Sequence, residues 1–152
     1  MIAKPLGIRN NNPGNLEPAG WIGEMGVGDG GRFARYDTLI HGLRAFGRQL
    51  IAYQTKRNIV SMGPWIDANE VRHRGVIDTW APSNENNTNA YIATVCKTMG
   101  CLSTDHFNFK TTAFLFWAIT AMGEVEQGKA AFHVYVSDAD IDAGVELALA
   151  TG

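Results

Sequence analysis

The stretch from Thr111 to Gln127 constrains this chain most. Phe114, Trp117, Ala118, Ala121, Met122 and Val125 recur on one face of a 3.6-residue period, and Gly128 stands where a helix can end. So apolar a helix has to be packed among others. Its longest apolar candidate, Ala113 to Met122, is interrupted by Thr120 and falls short of the roughly 20 residues a bilayer crossing needs. The spacing therefore predicts a core helix and excludes membrane insertion.

Other helices are legible around it. Asp37 or Thr38 can cap a helix reaching about Lys56, with Leu39, Leu43, Phe46, Leu50 and Tyr53 three to four residues apart. A further helical stretch is expected between Pro64 and Trp80. Thr88 can cap a helix from Asn89 to Met99, closed by Gly100. Ser137 can cap a last one through Ile141, Val145 and Leu149. The first thirty residues differ in kind. Asn10, Asn11, Asn12, Pro13 and Gly14 run together and six glycines follow before Arg32, which reads as loop, with Phe33 to Tyr36 as a short extended piece. The expected fold is mainly α, one domain over residues 1–152, with a loop-rich, slightly β N-terminal lobe. At 152 residues it is large enough to bury roughly 70% of its extended surface.

Composition removes several classes of function. Thirteen basic and fifteen acidic residues give a net charge of −2, so no basic face is available for phosphate neutralisation and nucleic acid is not an expected partner. The glycines form no phosphate-binding loop, and no serine elbow, zinc helix or calcium loop appears. The four histidines lack a metal spacing. Cys96, Cys101 and His106 do not match the usual zinc pattern either, so the cysteines read as small buried hydrophobes. Neither metal nor cofactor is expected. The N-terminus has no apolar signal region, so no secretory signal peptide is expected and any work outside the cytoplasm would need delivery by another route.

What remains is carboxylates beside amides and aromatics. The segments GIRNNNPGNLEPAGW and DTWAPSNENNTNAY each concentrate Asn, an aromatic and a carboxylate. That mixture suits carbohydrate, whose rings stack on aromatics and whose hydroxyl and acetamido groups pair with amides. The same asparagines could simply close turns and cap helices.

Four blocks, GIRNNNPGN, W-x-G, F-A-x-Y-D-T-x-x-x-G-L-R-A and W-A-P-x-x-E-N-N-T-x-A-Y, resemble a family of small phage and prophage virion proteins regarded as lysozyme-like and peptidoglycan-degrading. The resemblance spans Gly7 to about Gly144. It implies a lysozyme-like α+β fold, and a rearranged element order is expected, because the glutamate helix comes last here and the Asn-rich loop first. The family's late helix ends in A-I-x-x-x-E-N-G, which places Glu126 on its glutamate, with Gln127 in place of the family's Asn. Periodicity barely separates Glu126 from Glu124, so the motif makes the choice.

The resemblance implies cleavage of the bond between N-acetylmuramic acid and N-acetylglucosamine, with Glu126 as general acid and Glu85 as the second carboxylate. Hydrolysis and the anhydro-forming transglycosylase route both remain open, and neither needs a metal. Arg9, Asn11, Asn12, Asn15, Trp21, Trp80, Asn86 and Tyr91 are the expected substrate contacts. The expected partners are peptidoglycan glycan strands and phage virion proteins. The alternative is a virion structural or cell-wall-binding protein that has lost catalysis.

Overall fold

A computed structural model describes residues 2–82 and 87–150. Its elements, in chain order, are α1 (Leu6–Arg9), β1 (Glu24–Val27), β2 (Ala34–Tyr36), α2 (Leu39–Arg57), β3 (Trp65–Ile66), β4 (Arg72–His73), α3 (Val76–Trp80), α4 (Thr88–Met99), α5 (Thr112–Gln127), α6 (Lys129–Tyr135) and α7 (Asp138–Ala150). The fold is mainly α with a small β lobe, as the sequence predicts. Among the described residues no helix is long and apolar enough to cross a membrane.

α5 lies at the centre of the helical body, against α2, α4, α6 and α7. Phe114, Leu115, Ala118, Ile119, Met122 and their neighbours are buried against Leu43, Phe46 and Leu50 of α2, Tyr91, Ile92 and Val95 of α4, and Ile141 and Val145 of α7. Trp117 departs from the expected apolar face. It is half exposed, because α5 turns its Leu115 and Ile119 side inward as well as Phe114 and Ala118. Thr38 and Thr111 cap α2 and α5 with their side chains, accepting from His41 and Phe114 amides. α4 begins one residue early: Asn87 is the cap, accepting from the Ala90 amide, while Thr88 turns its hydroxyl onto the Ala81 carbonyl at 2.6 Å.

Two further expectations are corrected. The segment from Pro64 to Trp80 opens as a β3–β4 hairpin before the short α3. Asp67 is the cause: its Oδ1 accepts from the Asn69 and Val71 amides at 2.8 and 3.0 Å, closing a turn that competes with helix. The segment between Gly128 and Ser137, for which the sequence predicts no helix, is helical and packs α6 against α5 through Phe132.

The N-terminal lobe is built on side-chain amides. β1 and β2 pair antiparallel, with an irregularity between Glu24 and Val27. Among the described residues the other side of β2 meets no strand. The Ala34 and Tyr36 amides donate to the Leu16 and Asn10 carbonyls at 2.8 and 2.9 Å. Their carbonyls accept from Asn12 Nδ2 and Asn11 Nδ2 at 2.9 and 3.0 Å. The asparagine run thus satisfies a strand edge that would otherwise be open. Gly42 of α2 admits it to the helical body: a Cβ there would lie 1.7 Å from the Asn11 carbonyl oxygen, so only glycine allows this approach.

Candidate functional site

Glu126 sits in the last turn of α5, before Gly128, whose φ of 83° ends the helix as the sequence suggests. Its carboxylate is reached from both sides of the molecule. Asn15 Nδ2 donates to Oε1 at 2.9 Å from the N-terminal lobe, and Tyr91 OH donates to Oε2 at 2.8 Å from α4. Asn15 holds a left-handed backbone, φ 51°, which asparagine tolerates better than most residues. Its Oδ1 is buried with no partner among the described residues, and turning the amide over would set that oxygen against the carboxylate. A buried, half-satisfied amide of this kind costs roughly 1–3 kcal/mol and is the sort of local rule-breaking that collects at working sites.

Burial dominates the electrostatics of Glu126 and raises its pKa above the usual 4.5, against the opposing hydrogen bonds from Asn15 and Tyr91. Burial likewise pushes the Tyr91 phenol well up, helped by the adjacent Glu126 charge. Tyr91 is therefore a neutral hydrogen-bonding partner at all ordinary pH. Glu124, two residues earlier, projects elsewhere and pairs with His133 of α6. The structure separates the two glutamates that periodicity could not.

Glu126 opens into a cavity of about 520 Å³ between the lobe and the helical body. That lies within the range of roughly 300–1,000 Å³ typical of ligand pockets. One wall is Asn15 to Ala19 with Arg32 and Phe33; another is Gln49, Tyr53 and Arg57 of α2; Thr79 to Pro82 close one end. Trp80 contributes as a half-buried ring, stacked on Phe46 at 5.0 Å and edge-on to Tyr53 at 6.0 Å. Glu17 is the other carboxylate on the described lining, and Arg32 Nε meets it at 3.1 Å.

The sequence-predicted residues divide sharply. Glu126, Asn15, Tyr91 and Trp80 come together here. Asn12 does not: it is fully buried, its Nδ2 on the Leu16 and Ala34 carbonyls and its Oδ1 accepting the Leu16 amide, which leaves nothing for a substrate. Asn11 is tied to the Tyr36 carbonyl, and Trp21 packs on the Leu16, Ala34, Tyr36 and Ala45 cluster. Arg9 is exposed on α1, outside the cavity lining. Glu85 and Asn86 lie outside the described residues. Glu24 closes its own loop by accepting from the Ala19 and Gly20 amides.

Sequence reasoning missed Gln49, Arg57, Arg32 and Thr79 and took Tyr53 for core alone. The available signal was the spacing of Gln49, Tyr53 and Arg57, four residues apart on one helix face. Among the described residues no group of three or more His, Cys, Asp or Glu side chains is placed to hold a metal ion.

No protein-family model matches the chain. Protein P5 of Pseudoalteromonas phage PM2 is 32% identical over 127 residues, covering 80% of this chain and 71% of the phage protein. The chain belongs to the family of that phage protein. Membership in the P5 family ties it to a bacteriophage protein and leaves its chemistry to be argued from the cavity.

Proposed function

We propose that the chain is a phage-derived peptidoglycan glycosidase in which Glu126 is the general acid, on a lysozyme-like arrangement with rearranged element order. The observation that carries this reading is the environment of Glu126. It is a carboxyl desolvated at the end of the central helix, oriented by Asn15 and Tyr91, and open to a cavity lined by aromatic, amide and cationic side chains. A raised pKa keeps the proton on the acid nearer neutral pH, which protonation of a glycosidic oxygen requires. The half-buried Trp80 offers a surface for a sugar ring, and Gln49 and Thr79 offer partners for hydroxyl and acetamido groups.

The proton passes from Glu126 to the glycosidic oxygen as the C1–O bond breaks, leaving an oxocarbenium-like centre. Water adding at C1, its proton taken by a second carboxylate, gives a reducing sugar, whereas the muramic 6-hydroxyl attacking C1 gives the anhydro product and returns its proton to the Glu126 carboxylate. Glu17, held by Arg32, is the described acid on the lining available for the first route. The family's Asn is Gln127 here. Its buried Nε2 donates to the Pro13 carbonyl at 2.8 Å and ties the lobe to α5, so that departure serves the same junction.

A second reading, a virion or wall-binding protein without turnover, draws support from the kinship with a phage protein. Mass spectrometry of soluble products from purified protein and Gram-negative sacculi separates the two. Anhydro-muropeptides or reducing-end muropeptides support cleavage and name its route. Protein bound to sacculi with nothing released supports the binding role and overturns cleavage.

A further inference from the structure

We propose that Gln49, Tyr53 and Arg57 form a recognition strip along α2, and that Arg57 makes the cavity selective for glycans bearing carboxylates over neutral ones. This rests on the glycan reading above and adds the chemical class of the ligand. The three residues follow one another at four-residue intervals, so α2 presents them as a single ridge, and all three line the Glu126 cavity. Gln49 and Arg57 flank the apolar inward pattern of the helix, in which Leu43, Phe46 and Leu50 are fully buried and Tyr53 is buried at the cavity's edge.

The charges on the lining are unevenly matched. Arg32 shares the cavity with Glu17 at 3.1 Å, so that cation is locally compensated. Arg57 is held differently. Its guanidinium stands 5.6 Å from the centre of the Tyr53 ring, and the structure describes no carboxylate against it. Stacking on a ring leaves the edge of the guanidinium, with its parallel N–H groups, open for a planar anion. A carboxylate matches that fork and takes two charge-assisted hydrogen bonds at once. Tyr53 is neutral here, its phenol pushed up to about 12 by burial, so it neither competes for nor repels such an anion. A neutral sugar polymer could engage Gln49 and Tyr53 but would leave the fork of Arg57 to water. Glycans carrying lactyl ethers or peptide stems supply the missing carboxylate.

The test uses the full chain carrying Glu126→Gln, so that binding is read without turnover. Its affinities for a carboxylate-bearing muropeptide fragment and for a neutral chitooligosaccharide of equal length are measured by calorimetry, with and without Arg57→Gln. The expected result is a preference for the acidic ligand that falls about tenfold in the Arg57→Gln protein, the size of one charge-assisted hydrogen bond. Arg57→Lys, which keeps charge but not the fork, should restore part of it. A preference that Arg57→Gln leaves unchanged, or no preference at all, overturns the proposal even if the parent protein cleaves sacculi. A preference lost with Arg57 in a protein that releases no muropeptide supports the strip and overturns cleavage instead.

Discussion

The asparagine run and the end of α5 are made of the same chemical groups and do opposite things with them. In the run, Asn10, Asn11 and Asn12 direct their amides at backbone. Asn10 exchanges two bonds with Asp29, Asn11 holds Tyr36, and Asn12 makes three bonds in complete burial. At the end of α5, the Asn15 amide and the Tyr91 hydroxyl donate to a carboxylate, and the Asn15 amide oxygen has no partner among the described residues. The satisfied amides fix the shape of the lobe, whereas the Asn15 amide is turned onto a group that can do chemistry. Residue type alone does not tell the two apart; the partner does.

Substitutions can break this contrast. Asn12→Ala should have the largest effect on stability. It removes three buried bonds and strands backbone groups of Leu16 and Ala34, a loss of about 3 kcal/mol or more, read from urea unfolding. A loss under about 1 kcal/mol would mean the lobe is not held by its amides.

Asn15→Ala sits on the other side of the comparison. It should cost about 1 kcal/mol or less, because the lost bond is offset by removal of the unsatisfied oxygen. Its signature is in the pH profile. The Asn15 bond opposes the burial that raises the Glu126 pKa, so without it the alkaline limb of kcat/KM should move to higher pH. A limb that stays in place or moves down would remove Asn15 from the acid's environment.

Glu126→Gln should be at least as stable as the parent at neutral pH. Because the folded-state pKa lies above the unfolded value, ionising Glu126 in the fold carries a penalty that is absent well below about 4.5 and complete above the raised pKa. The stability advantage of the Gln protein should therefore grow as pH rises from about 4.5, visible in thermal melts across pH. Arg9→Ala, exposed and away from the cavity, should change stability by no more than about 0.5 kcal/mol and leave turnover alone.

Much of the fold was written in local signals. Thr38 and Thr111 as caps, Gly100 and Gly128 as stops and the period of α5 each report on neighbours within a turn or two, which is what sequence shows best. The β3–β4 hairpin escaped because Asp67 reads as an ordinary polar residue until its side chain is seen closing a turn. The site was half legible. Glu126 came from a motif, and Asn15 and Tyr91 from clusters of suitable residue types. Their meeting joins residues 111 and 35 positions apart, a long-range fact no local pattern carries. The same clusters also nominated Asn12 and Trp21, because an amide that braces a strand and one that braces a carboxylate look identical in a string of letters.

The central claim is that Glu126 supplies the proton. Its most direct test is release of soluble muropeptide from sacculi by the parent and by Glu126→Gln, each first shown to be folded and to bind sacculi. Release is expected from the parent and none above background from the Gln protein, with binding retained. Release by Glu126→Gln at the parent's rate would contradict the claim.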